Sequence, residues 1–298
     1  MNHYSLEHDN IIRFKELIVT HNSLAIVMEY ARSEDLFSYV TKSYEKKLDE
    51  GLSRSLFKQL ICGIDYMHNM GICHRDLKLE NTLLSGNPLQ IKICDFGYSK
   101  NAHFHSNPHS KVGTFAYIAP EILCTGAAYD AKAVDVWSLG AMLHVMLAGI
   151  FPFCDLMDPN NDQKQKKRVT DFWHGRCSYQ PPQHLSEDCV DLLQKMLHAS
   201  PTQRISLDQV KMHPWLSATG NSSISVLPSA PLFSKQPKEE LEERLGQVTG
   251  HGIGLQHLDF VATTQPNSID LGIASSFDSD GIGIEVGHSQ EMQYMMSN

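Results

Sequence analysis

The 298-residue chain has no apolar run that approaches the ~18 residues a membrane span needs, and its first thirty residues carry no signal-peptide pattern. No membrane partner is therefore expected. Its seven cysteines, at 62, 73, 94, 124, 154, 177 and 189, contain no Cys-x-x-Cys pair. Odd in number and scattered, they argue against a disulfide or zinc framework and for reduced thiols in the cytoplasm or nucleus. Clustered positive charge is also scarce. Lys and Arg total 25 against 34 Asp and Glu, a formal charge of −9 with a pI near 5.9, which excludes an extended nucleic-acid surface. The single basic run, Lys164-Gln165-Lys166-Lys167-Arg168, reads as a solvated loop or helix face. Histidine is plentiful at sixteen, yet the densest group (His103, His105, His109) has no fourth ligand at zinc spacing. No internal repeat occurs.

What is present is enough apolar sequence, 42%, for a substantial core, and a length that suggests one domain of roughly 200 to 250 residues with a tail. Residues 11 to 28 form two β-rich runs around His21-Asn22-Ser23, a hairpin signal. A short helical piece follows around Asp35 to Val40. From Ser53 to Met70 the positions Leu56, Phe57, Leu60, Ile61, Ile64 and Met67 recur at three and four residues and predict an amphipathic helix closed by Gly71. Short β-type runs near Thr82 to Leu84 and Gln90 to Cys94 bracket a Ser-Gly-Asn-Pro turn. Residues 98 to 112 read as a long polar loop, and Val134 to Ala148 as the core helix. Further helices are expected at 187 to 199 and, behind Ser206, at 206 to 212. After Leu216 the composition changes: residues 217 to 298 hold three basic against ten acidic residues, −7 of the chain's −9. This tail is expected to be largely disordered, with one short amphipathic helix near 239 to 248 through Leu241, Leu245 and Val248.

The densest chemistry lies in Cys73-His74-Arg75-Asp76-Leu77-Lys78-Leu79-Glu80-Asn81, followed by Asp95-Phe96-Gly97. Phosphoryl transfer to a hydroxyl needs a carboxylate at the nucleophile, a cation at the transferring group and oxygen ligands for a phosphate-clamping metal. Asp76, Lys78, Asn81 and Asp95 supply these in order. His-Arg-Asp-Leu-x-x-x-Asn, then Asp-Phe-Gly, then Ala119-Pro120-Glu121 resembles the eukaryotic protein kinase signature, and the likeness covers residues 1 to about 216. The stretches His74 to Leu84, Ile93 to Lys100 and Leu24 to Ala31 are similar to the plant sucrose-non-fermenting-related kinases, in their stress- and abscisic-acid-responsive subclass.

The resemblance implies an α+β, protein-kinase-like fold, mostly a helical large lobe (31 to 216) with only a β-hairpin remnant of the small lobe (1 to 30) ahead of the acidic tail (217 to 298). It implies ATP and Mg²⁺ as cofactors, with Asp76, Lys78 and Asn81 catalytic and Asn81 and Asp95 as metal ligands. Met28 would guard the rear of the nucleotide pocket, Glu29 and Ala31 would offer backbone hydrogen bonds to adenine, and Leu83 would line the same pocket. His74, Arg75, Phe96, Glu121, Asp135 and Arg204 would be structural or regulatory, with Asp135 tethering the catalytic loop and Glu121 pairing with Arg204. Ser106 and Ser110 fall at the family's activation-loop phosphosites, where a phosphate could pair with Arg75. Asp35, Glu80 and Thr114 would meet the substrate, the first two preferring a basic residue upstream of the target Ser or Thr. Partners would be protein substrates and an upstream kinase or phosphatase.

The sequence departs from the family in two respects. Phe115 stands where a Pro is usual. No Gly-x-Gly-x-x-Gly occurs before residue 30, and no Val-Ala-x-Lys does either. Aligning His8-Asp9-Asn10-Ile11 with the family's His-Pro-Asn-Ile puts the helix Glu about two residues before Met1. On that alignment the chain is expected to be an N-terminally truncated serine/threonine kinase with weakened ATP binding. The alternatives are a pseudokinase-like binding module, an unrelated ATP-dependent enzyme or a purely structural helical protein.

Overall fold

The computed structural model describes residues 3–19, 24–97, 99–101, 115–126, 128–154, 161–217, 236–242 and 258–262. Two compact units divide the chain: Met1–Ile11 with Ala31–Pro228, and Ile12–Tyr30 with Ser229–Asn298. The segment read from sequence as 1 to 30 is thus split at Ile11.

In the second unit, β1 (Phe14–Val19) and β2 (Leu24–Met28) pair antiparallel, with Phe14 opposite Met28 and a register irregularity between Phe14 and Glu16. In the first unit a 3-10 turn at His3–Ser5 leads to Ile11, which bridges Ile93. Asn10 fastens this segment: its side-chain amide donates to Gln59 and to the Ile91 carbonyl, and its own carbonyl accepts the Ile93 N–H at 2.9 Å. Helix α1 (Leu36–Lys42) starts at Asp35, and α2 (Glu50–Asn69) at Asp49, whose carboxylate accepts the Leu52 N–H. The six apolar positions that predicted α2 are all buried, and Gly71 at φ 72° follows its end.

Beyond α2 run β3 (Ile72–Cys73), the antiparallel pair β4 (Thr82–Ser85) and β5 (Gln90–Ile93), and β6 (Lys100–Asn101), which pairs with β3. Then come α3 (Pro120–Cys124) and α4 (Ala131–Ala148). Every residue of α4 from Val134 to Leu147 is buried. At 18 residues and mean hydropathy 1.2, α4 is long and apolar enough to cross a membrane, which corrects the expectation that no stretch reaches that length. Its burial among the other helices makes it the core helix instead. It stops at Gly149, where φ is 71° and a Cβ would lie 2.3 Å from the Lys46 carbonyl oxygen.

The basic run lies on α5 (Asp162–Trp173), exposed apart from Gln165. α6 (Glu187–Met196), α7 (Leu207–Lys211) and α8 (Pro214–Ser217) complete this unit, with a capping box between Ser206 and Gln209.

The tail returns to the sheet unit. β7 (Leu258–Ala262) lies parallel to β2 along the edge that the hairpin alone would leave open, in the order β1-β2-β7. On β1, the Gln236 N–H donates to the Lys15 carbonyl and the Gln236 side chain accepts the Leu17 N–H. A helical turn over 238–242 buries Leu241 to 1% exposure. The expected two-stranded remnant is therefore a three-stranded sheet. The physical reason is that unpaired edge groups of a hairpin favour any strand that can reach them. Leu245 and Val248 lie outside the described residues.

One buried group makes stability pH-dependent. His144 on α4 contacts the Tyr179 hydroxyl at 2.6 Å, and burial lowers its pKa from 6.5 to about 4. The unfolded chain takes up the proton near pH 6.5 while the folded chain resists to about 4, so stability falls across that window and the penalty is level below it. Between pH 7 and 4, urea unfolding is expected to show wild type losing about 3 kcal/mol more than His144→Leu.

Candidate active site

The loop between β3 and β4 is held by one buried carboxylate. Asp135, in the second turn of α4 and 0% exposed, accepts the His74 N–H at 3.0 Å on Oδ2 and the Arg75 N–H at 2.8 Å on Oδ1. His68 of α2 contacts Oδ2 at 2.8 Å. These contacts hold Arg75 at φ 71°, a left-handed conformation costly for a non-glycine residue. His74 accepts the Asp76 N–H on Nδ1 at 3.3 Å, so its proton is on Nε2, which donates to the Cys94 carbonyl at 3.0 Å. The Cys94 N–H in turn donates to the Asn81 carbonyl. The two chemistry-bearing stretches are thereby tied together by the His74 ring and by one backbone hydrogen bond.

Asp76 and its neighbours converge. Lys78 Nζ lies 3.2 Å from Asp76 Oδ2, and Asn81 Nδ2 donates to the same oxygen and to the Asp76 carbonyl, both at 3.0 Å. Asp95 sits at φ 63°, with Oδ1 accepting the Gly97 N–H at 3.2 Å. Because Asn81 spends its amide N–H groups on Asp76, its amide oxygen is the atom left for a ligand, and this oxygen and the Asp95 carboxylate are both hard donors of the type a hard divalent cation takes. A second potential cluster, His68, Cys73 and Asp135, places three ligand atoms within 4.8 Å. Its Asp oxygens are already hydrogen-bonded, and burial with Asp135 beside it pushes the Cys73 thiol up to about 12, so it stays protonated. That cluster reads as structural.

Phe96 stacks on His3 at 4.5 Å and meets His74 in a tilted contact at 5.4 Å. Sequence reading did not find His3, because nothing local marks it. The Glu121–Arg204 pair is present and bidentate at 2.8 Å for both contacts. Every Arg204 N–H is used: the remaining donors reach the carbonyls of Ala133, His198 and Ala199, and the guanidinium lies over Trp137.

Of the other expected positions, Asp35 bridges Leu83 through the backbone and, in addition to burial, lies near enough to Glu80 to raise its pKa. Asp35 spends both carboxylate oxygens on Ser38 as the cap of α1. Burial pushes the Glu80 carboxyl above the usual carboxylate range, with Lys78 and Tyr117 acting in the opposite sense. Leu83 is half-buried on β4, and Ala31 opens the helical unit. Met28 and Glu29 belong to the sheet unit, where the Glu29 side chain accepts the Arg13 N–H at 3.2 Å. Ser106, Ser110, Thr114 and the histidines at 103, 105 and 109 lie outside the described residues.

Residues 1–216 match the family described as protein kinase domain. The chain belongs to the protein kinase family. Among its relatives, the rice serine/threonine-protein kinase SAPK7 is 46% identical over 253 residues, 81% of this chain and 68% of the relative. The Arabidopsis thaliana serine/threonine-protein kinase SRK2J is 49% identical over 218 residues, 72% of this chain and 62% of the relative. An abscisic acid-inducible protein kinase of wheat is 49% identical over 216 residues, 72% and 63%. The chain thus spans roughly two thirds or less of the length of these kinases, and they match the plant stress-kinase subclass that the motifs resemble.

The Glu121–Arg204 pair is buried, so truncating one partner strands a charge. Arg204→Leu is expected to lower unfolding free energy by about 3–5 kcal/mol in chemical denaturation, and Glu121→Leu in the same chain to restore much of that loss.

Proposed function

We propose that this chain acts as a serine/threonine protein kinase, moving the γ-phosphoryl of ATP to hydroxyls of protein substrates. The observation that carries the reading is the Asp76 carboxylate, with Lys78 and Asn81 both on Oδ2 and the N–H of the preceding Arg75 anchored on Asp135. Pinned on Oδ2, the carboxylate presents Oδ1 to a substrate hydroxyl and accepts its proton as the oxygen attacks. Lys78 supplies positive charge where the equatorial oxygens gain negative charge. Asn81 and Asp95 would hold the divalent cation, for which Mg²⁺ suits their oxygen donors. When bound, it neutralises phosphate charge. Met28, Glu29, Ala31 and Leu83 are assigned to the nucleotide.

The relatives' names favour phosphotransfer over a purely binding role. Regulation through phosphate on Ser106 or Ser110 by an upstream kinase, reversed by a phosphatase, and a site of action in the cytoplasm or nucleus belong to the same proposal.

Asp76→Asn keeps the size of the side chain and the contacts of one oxygen while removing the base. Phosphotransfer to a generic basic Ser/Thr peptide is expected to fall by about a thousandfold or more, with an unchanged circular dichroism spectrum. An equally active variant would refute the assignment. Glu80 and Asp35 favour Arg or Lys upstream of the target residue, and a positional peptide library is expected to show that preference. A flat profile would remove both residues from the substrate site.

A further inference from the structure

Strand β2 is paired along both edges, and its two neighbours come from distant parts of the chain. On one side β1 runs from Val19 opposite Leu24 to Phe14 opposite Met28, with its register irregular between Phe14 and Glu16. On the other side β7 pairs residue for residue, from Leu24 with Leu258 to Met28 with Ala262, in an unbroken parallel register. The tail also reaches the irregular stretch of β1. There the Lys15 carbonyl accepts the Gln236 N–H at 3.1 Å, and the Leu17 N–H donates to the Gln236 side chain at 2.9 Å. Glu29 follows the last β7 pair directly; its N–H donates to the Arg13 carbonyl at 2.8 Å and its carboxylate accepts the Arg13 N–H at 3.2 Å. Met28 and Glu29, the residues of this unit assigned to the nucleotide, thus stand at the end of a strand held between β1 and the tail.

We propose that docking of β7 and binding of the nucleotide are reciprocally coupled through β2: the docked tail strand holds Met28 and Glu29 in the arrangement that the nucleotide takes, and the bound nucleotide holds the tail strand down in return. The proposal rests on the kinase reading above. A two-stranded hairpin is marginal in water, and a third strand is what gives a small sheet a single arrangement. A ligand that binds only the ordered form has its affinity reduced by the fraction of chains in that form, so losing β7 weakens nucleotide binding. Linkage requires the converse with the same factor. A five-residue ladder at a sheet edge opens far more readily than a core helix, which leaves its occupancy open to such a bias.

Backbone substitution tests this in the full chain. Along a parallel strand successive residues turn their N–H groups to opposite sides, so of Asp259 and Phe260 one donates into the ladder with β2 and the other points away from it. Asp259→Pro and Phe260→Pro therefore form a matched pair in which only one removes a ladder donor. The readouts are hydrogen exchange at the amides of 24–28 and 258–262 and calorimetric titration with ADP. In wild type, saturating ADP is expected to slow exchange at 258–262. One variant is expected to lose protection in both segments and to bind ADP about fivefold to fiftyfold more weakly, and the other to match wild type within about twofold. Unchanged ADP binding in the variant that loses protection, or exchange at 258–262 in wild type that ADP leaves unaltered, would overturn the coupling. Two variants that behave alike, both protected or both weakened, would place the effect outside the ladder and overturn it as well. Wild type that binds no ADP would instead overturn the nucleotide assignment of the kinase reading, and the coupling with it.

Discussion

The constraint on which the rest depends is the Asp135 carboxylate. A charge buried to this degree is tolerated only if its lone pairs are filled, and three groups fill them: the His68 ring and the N–H groups of His74 and Arg75. Because these partners come from α2 and from the loop after β3, one side chain on α4 joins the longest helices to the stretch that carries the chemistry. Removing it would leave a buried imidazole and two backbone donors without their acceptor, so its role is one of assembly as much as of local tethering.

Strain and restraint balance around this point. The described non-glycine residues with positive φ include Arg75 and Asp95, each next to or within the site. A left-handed L residue persists only where surrounding bonds outweigh its cost. For Arg75 those bonds include the ones to Asp135 and Tyr129. For Asp95 they are the Gly97 N–H on its own Oδ1 and the holds on its neighbours: Cys94 is bonded through its N–H to Asn81 and through its carbonyl to His74, while Phe96 touches both His74 and His3. His74 therefore takes part in both halves, which explains why a histidine with a fixed tautomer serves here better than a purely apolar ring.

How much of this was legible in the sequence follows from the range of each interaction. Asp76, Lys78 and Asn81 must act on one small volume, so they lie within six residues and can be read as a motif. The helices α2 and α4 were legible because burial repeats with helical period or fills a whole segment. The partner of β2 was not, since β7 lies more than 200 residues away and its five residues carry only a weak strand signal in an acidic tail. Nor was the Tyr129–Arg75 contact, which spans 54 residues and pairs two side chains that look ordinary by themselves. Asp35, assigned to substrate by resemblance, also caps a helix with both its oxygens, a local use that its position just ahead of an apolar run could have shown.

The sheet unit obeys a related rule at its edges. A two-stranded hairpin cannot stand alone in water, because each outer edge presents unpaired donors and acceptors and neither face has enough to pack on. Here the tail answers both edges from the same unit: Gln236 supplies a backbone donor and a side-chain acceptor to β1, and β7 supplies a ladder to β2. A segment with a net charge of −7 thus contributes short stretches of its sequence where backbone pairing is needed. Composition alone classes such a tail as unfolded, since mean charge says nothing about where five consecutive residues can find an open edge.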